Sequence, residues 1–253
     1  MKKYVLTIAL VALTSCTSID DKKPVPNYQK AVVDKSVYNE LDQLYLVGDV
    51  KGVFAKFQSI DNPNTLLSAS YWIRDVTKQS DDSRYMYLYA TTLLRMLDIK
   101  NIDKQSKEEF KETAALSFYA GRYMIVIDAE RCQDKVPRMA LLMNMELEIE
   151  EEILKIMNSF SKEKQEKIGQ MALKIEENKK NRKKQGWICK QSPEYLSKYM
   201  EQDPNCEDCI VQKNGHITNI VLPEKSNLIK YKSDQEWLQK RNEIRNVLAE
   251  TKN

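Results

Sequence analysis

Apolar positions recur along most of this chain at steps of three and four. Leu142, Met145, Ile149, Ile153 and Ile156 make one such row, and Ile168, Met171, Ala172 and Ile175 make another. At 3.6 residues per turn, each row lines one face of a helix. Together with start and stop signals, the pattern predicts eight or nine helices, at roughly 35–47, 50–59, 63–78, 81–98, 106–131, 137–158, 161–185, 193–201 and 234–250. The stretch Ala115 to Ile127 is apolar almost all round, which marks the central helix. Ser106 with Glu109 reads as a capping box. Ser161 precedes an acid in the first turn. Ser192 stands before Pro193, with proline at the first helical position, and Pro137 opens another helix. The pattern changes at Ile210-Val211-Gln212-Lys213 and His216 to Val221. These β-prone runs flank Asn214-Gly215, a strong hairpin signal, so a small two-stranded flap is expected at about 210–221. The expected fold is therefore mainly α, a stack of helical hairpins or a helical bundle with a small C-terminal β-hairpin.

The first residues follow a different rule. Lys2 and Lys3 precede an apolar run from Tyr4 to Leu13. That run falls short of the ~20 residues a permanent span needs, and it fits a secretory signal. It ends in Leu13-Thr14-Ser15-Cys16, which resembles the lipobox of bacterial lipoproteins. The resemblance implies cleavage before Cys16, a diacylglyceryl group on its thiol and acylation of its freed amine. Two or more acyl chains hold a membrane stably where one does not. Thr17 at the next position implies, by the same resemblance, the outer membrane facing the periplasm rather than the inner membrane. The chain then divides into a signal peptide (1–15), a lipidated tether (16–34, mostly polar, with Pro24 and Pro26) and one α-helical domain (35–253).

Composition supports helix and narrows the chemistry. Gly and Pro are scarce, at 6 and 7 residues, where both would break helices. Without Lys2 and Lys3, 38 of the 40 basic side chains stand against 37 acidic ones, so net charge gives no reason to expect nucleic acid. Besides Cys16 there are Cys132, Cys189, Cys206 and Cys209, an even number that in an exported chain suggests two disulfides. Of three possible pairings, Cys132–Cys189 with Cys206–Cys209 is favoured. The first would staple the end of one long helix to the end of another.

Several constellations bear on function. Cys206-Glu207-Asp208-Cys209 has thiol-oxidoreductase spacing, but the two acids disfavour a thiolate, so a structural disulfide is the preferred reading. Cys206, Cys209 and His216, with Cys189 as a fourth, make a zinc set that an oxidising compartment opposes; no metal and no cofactor is expected. His216 is the one histidine in the chain, which argues against histidine-dependent nucleophilic catalysis. Glu146, Glu148, Glu150, Glu151 and Glu152 cluster on consecutive turns, with Glu151 and Lys155 four apart, as on a solvated face. Arg122 inside the apolar helix needs an acidic partner or a route to the rim. Lys179, Lys180, Arg182, Lys183 and Lys184 either form a patch for anionic lipid headgroups or an acidic partner, or close a helix before Gly186 as its C-cap residue. Tyr85, Tyr87, Tyr89, Phe118, Tyr119 and Tyr123 either line a groove or belong to the core.

Gly48-Asp49-Val50-Lys51-Gly52-Val53-Phe54 resembles the turn between paired helices of tetratricopeptide-like repeats. Arg84-Tyr85-Met86 and Arg122-Tyr123-Met124 recur 38 residues apart. The resemblance implies stacked helical hairpins. The expected function is non-enzymatic: an envelope accessory protein, held to the membrane by its lipid and bound to an unidentified envelope protein, with no catalytic residue. The alternatives are an envelope thiol-disulfide or carboxylate-dependent enzyme, or a module that binds anionic lipid or glycan through the basic run.

Overall fold

A computed structural model of the chain describes residues 34–100, 102–137, 147–203, 210–213, 216–220 and 225–250. Ten helices lie among them. They are α1 (Lys35–Leu46), α2 (Val50–Gln58), α3 (Pro63–Gln79), α4 (Arg84–Leu97), α5 (Lys104–Ala129), α6 (Leu147–Ser159), α7 (Lys162–Asn178), the short α8 (Gly186–Cys189), α9 (Pro193–Gln202) and α10 (Asp234–Glu250).

Local chemistry sets most of the boundaries. The Asp49 carboxylate accepts from Gly52 N–H at 2.8 Å and starts α2, while Gly48, at φ +74°, takes the left-handed conformation that turns the chain out of α1. Asn62 caps α3 ahead of Pro63. Ser161 and Ser192 cap α7 and α9 as expected, accepting from Lys164 N–H and Tyr195 N–H. Ser106 does not cap α5. Asp103 does, accepting from Ser106 N–H at 2.9 Å and from the Ser106 hydroxyl at 2.6 Å, so the helix begins one turn earlier. A carboxylate placed to take both bonds outcompetes the serine for the cap. The helix expected to run to 185 stops at Asn178. Gly186 is not its C-cap but the first residue of α8. The start of the helix expected from Pro137 lies outside the described residues.

α5 is the centre of the molecule. Its 26 residues span about 39 Å, with α4 against one side and α7 against another. Phe110, Ala114, Ala115, Leu116, Phe118, Ala120, Met124, Ile125 and Ile127 are all buried, which accounts for the all-round apolar stretch. At Gly121 α4 packs tightly on α5: a Cβ there would stand 3.0 Å from the Tyr87 ring. Tyr85, Tyr87 and Phe118 are buried, with Tyr87 and Phe118 edge to face at 5.5 Å, and Tyr89, Tyr119 and Tyr123 are partly buried against the same core. The aromatic residues thus pack inward. Arg122 reaches the rim and donates to Glu150 of α6 at 2.7 Å.

α3 lies on the other side of α4, and the α1–α2 pair packs on α3. Trp72 is the joint: its indole N–H donates to Asp42 at 2.7 Å, and its ring meets Tyr45 and Phe57. Arg95 of α4 donates to the carbonyls of Phe57 and Ile60 and so ties the end of α2 to the next layer. Arg84 opens α4 while Arg122 sits well inside α5, so the two Arg-Tyr-Met triplets occupy different places in their helices.

Of the hairpin region, backbone pairing is described for β1 (Ile210–Lys213) with β2 (His216–Ile220). The strands run antiparallel, with Ile210 opposite Ile220, Lys213 opposite His216 and an irregularity between Val211 and Gln212. The Asn214-Gly215 turn, the side chains of both strands, Cys206 and Cys209 lie outside the described residues. The body itself is helical in every layer. No helix among the described residues is long and apolar enough to cross a membrane.

Candidate functional site

The densest polar feature of the described residues is a buried cluster where α5, α7, the segment after α7 and α10 converge. α5 supplies Asp128, with Arg131 just past its end; α7 supplies Glu176 and Glu177; α10 supplies Trp237, Arg241 and Arg245. Arg182 enters from the connecting segment.

The periodicity of α7 puts Glu176 on its inner face, four residues beyond Ala172 and eight beyond Ile168. It is 0% exposed. Arg241 clamps it with two bonds, Nε to Oε1 at 3.0 Å and Nη2 to Oε2 at 2.8 Å. Arg182 Nη1 adds a bond to Oε1 at 2.8 Å, and Arg245 Nη1 a further one to Oε2. Bidentate guanidinium–carboxylate pairs are among the stronger hydrogen-bonded contacts. Burial pushes the Glu176 carboxyl up, but Arg241 and Arg182 together hold it below its ordinary value. Arg241 also reaches Glu177 at 2.6 Å.

Asp128 has fewer partners. Arg182 Nε donates to its Oδ2 at 2.8 Å, and Arg131 Nε lies 3.6 Å from Oδ1. Burial therefore dominates and raises the Asp128 carboxyl. Arg182 opposes its own desolvation through Asp128 and Glu176, which hold it firmly cationic. The Arg131 guanidinium lies 3.6 Å over the Trp237 ring and donates from Nη1 to the Arg182 carbonyl at 2.8 Å. The Trp237 indole N–H donates to the Ile127 carbonyl at 3.3 Å.

The Cys132–Cys189 disulfide lies close by in the chain, with both cysteines buried. It joins the end of α5 to α8 rather than to the end of a second long helix, because α7 stops eleven residues before Cys189. Around it Gln133 N–H donates to the Lys230 carbonyl, and Lys232 N–H to the Arg131 carbonyl. These bonds bring the chain ahead of α10 against the end of α5. The site is thus a lock: the disulfide fastens α8 to the end of α5, buried ion pairs fasten α10 to α7 and both α5 and α7 to Arg182, and Trp237 seats α10 on the end of α5.

The basic run does not form one cationic patch. Arg182 is 3% exposed and belongs to the cluster. Lys179 is half-buried, its ammonium donating to the carbonyls of Lys78 and Ser80; burial lowers its affinity for the proton. Lys180 pairs with Glu177, Lys183 N–H donates to Asp81, and Lys184 pairs with Asp234. Because the segment leaves the helix at Asn178, its residues meet different partners, Lys183 through its backbone N–H and the others through their side chains, instead of sharing one helix face. Among the acids, Glu150 pairs with Arg122 and Glu151 with Lys155, and Glu152 is exposed; the side chains of Glu146 and Glu148 lie outside the described residues.

Sequence reasoning missed Asp128, Glu176, Arg131, Arg241, Arg245 and Trp237. The signal was present: Glu176 continues the apolar row of Ile168 and Ala172, and Trp237, Arg241 and Arg245 follow at four-residue steps. A charge on an apolar stripe calls for an opposite charge on another helix. Among the described residues no three His, Cys, Asp or Glu side chains gather in a way that could hold a metal ion. No protein-family model, no curated protein and no solved structure matches this chain.

Proposed function

We propose that this chain is a bacterial envelope lipoprotein, a lipid-tethered helical accessory protein that works by binding another envelope protein rather than by catalysis. The observation that carries the reading is Leu13-Thr14-Ser15-Cys16, placed directly after two lysines and a short apolar run. In this reading residues 1–15 are removed, Cys16 carries the acyl chains, and the body hangs on a polar leash in the periplasm, at the outer membrane. A small β-hairpin at 210–221 completes the fold.

Two features support it. The disulfide between Cys132 and Cys189 belongs to an oxidising compartment, where such bonds persist. Exposed helix positions carry charges of both signs, Glu151 with Lys155 and Lys240 with Glu243 among them, which suits a surface that meets another protein. Cys206 and Cys209 form the second bridge in this reading.

Intact-mass and peptide mass spectrometry on native material tests the anchor. The expected result is a chain that begins at Cys16 with added acyl mass. A chain that retains residues 1–15 and carries no acyl mass overturns it. Crosslinking in intact envelopes, followed by identification of the adducts, then tests the partner: a reproducible protein adduct is expected, and its absence counts against the accessory role.

A further inference from the structure

The turn between α1 and α2 exposes Leu46 at 81% and Val47 at 78%, the two most exposed large apolar side chains among the described residues. They are adjacent, and Leu44, Tyr45, Val50 and Phe54 lie partly buried beside them. The backbone N–H groups of the turn already have partners. Val47 N–H donates to the Gln43 carbonyl at 3.3 Å, Gly48 N–H to Tyr45 at 3.0 Å and Asp49 N–H to Leu44 at 2.9 Å. No charged side chain occurs from Gln43 to Gly48. The acids on either side are engaged, Asp42 by the Trp72 indole and Asp49 by Gly52 N–H.

We infer that this turn inserts Leu46 and Val47 into the surface of the bilayer that holds the lipid of Cys16. The inference rests on the lipoprotein reading above, and it adds a second membrane contact to the anchor. Entering an apolar phase is costly for backbone groups that lack partners, and here the turn supplies them internally for the N–H groups of Val47, Gly48 and Asp49. The tip is convex and only two residues wide. A specific protein interface needs roughly 1,000 Å² of complementary surface, which two side chains do not offer, whereas a bilayer demands no matching shape. The anchor also puts the bilayer within range. Residues 17–33 separate Cys16 from Asp34, and 17 residues span at most roughly 60 Å when extended. α1 carries the tip about 18 Å further.

Site-specific photocrosslinking in living cells producing the full chain tests this. Leu46→p-benzoylphenylalanine and, as control, Leu238→p-benzoylphenylalanine on α10 are irradiated, and adducts are identified by mass. Both positions are exposed, so helical circular dichroism is expected to match the parent. Phospholipid adducts at position 46 on the order of tenfold above those at 238 support the inference, as a leucine buried in lipid gains about that factor or more. A protein adduct at 46, or no excess over 238, overturns it. The Cys16 peptide of the same sample reports the anchor separately. Acylated Cys16 without lipid adducts at 46 sinks the inserted turn alone, and unmodified Cys16 sinks the reading beneath it.

Discussion

Arg182 and Asp128 lie 54 residues apart in sequence, and the guanidinium Nε of one meets the carboxylate Oδ2 of the other at 2.8 Å with both side chains buried. The same guanidinium grips Glu176, so one residue from a run of surface-like cations joins α5 to α7 inside the protein.

This arrangement separates the members of the run by their cost of removal. Arg182→Ala leaves Asp128 and part of Glu176 as buried, under-compensated charges and should lower stability by about 3–5 kcal/mol. Lys180→Ala removes an exposed pair with Glu177 and should change stability by less than ~0.5 kcal/mol. Urea unfolding of the two variants checks the contrast, and equal effects would mean that Arg182 is not in the cluster.

Acid should act through Glu176 and Asp128 in opposite directions. Burial raises Glu176, but its arginines hold the folded-state value below the ordinary 4.5. Its contribution is therefore full above the unfolded value and is lost as pH falls through the lower folded one. Burial raises Asp128 above 3.8, so its ionised form costs stability near neutrality, and protonation relieves that cost as pH falls through the raised value. Glu176→Gln should thus cost about 3–5 kcal/mol at pH 7, with the gap to the parent narrowing below about pH 4. Asp128→Asn should cost less than Glu176→Gln at pH 7. Thermal unfolding across pH checks both, and a gap for Glu176→Gln that stays constant down to pH 3 would refute the assignment.

Cys132 and Cys189 close a loop with a sequence separation of 57. Cross-linking a loop of that length removes unfolded-state entropy equivalent to about 4 kcal/mol. The double substitution Cys132→Ser with Cys189→Ser should lose roughly that amount in denaturant unfolding. Because both cysteines are buried, mild reductant should leave the native bond intact and cleave it only when denaturant is present.

Two glycines should respond to alanine for different reasons. Gly48→Ala meets nothing within 4 Å but forces a side chain into φ +74°, a cost of about 1 kcal/mol. Gly121→Ala has an ordinary helical backbone but pushes its Cβ to 3.0 Å from the Tyr87 ring, and overpacking of that kind costs about 1–3 kcal/mol. Adding Tyr87→Phe should not rescue Gly121→Ala, because the close atom is a ring carbon; Tyr87→Leu should rescue it in part. Melting curves of the four variants decide this.

The helices were legible along the chain because their causes are local. The rows at 149, 153 and 156 and at 168, 172 and 175 lie inside single helices, and Ser161, Ser192 and Pro193 mark starts within a few residues. Local signals misled where two of them competed. Asp103 and Ser106 both suit a cap, and only the folded backbone shows that the carboxylate takes it. Lys179 to Lys184 read as the end of a helix, but the chain leaves that helix at Asn178 to send Arg182 inward.

The amino-acid order alone determined that this is a helical protein, where most of its helices begin and end, and which cysteines were available to pair. Tertiary structure decided which charges are surface and which are core. Burial is a property of faces that meet, and the faces carrying Asp128, Glu176, Arg182 and Arg241 come from elements separated by up to 65 residues in the paired contacts. Asp128 and Arg182 lie 54 residues apart and Glu176 and Arg241 lie 65 apart, beyond any local window, so an arginine among lysines and a glutamate on the Ile168–Ala172 stripe reveal these partners only when the helices pack.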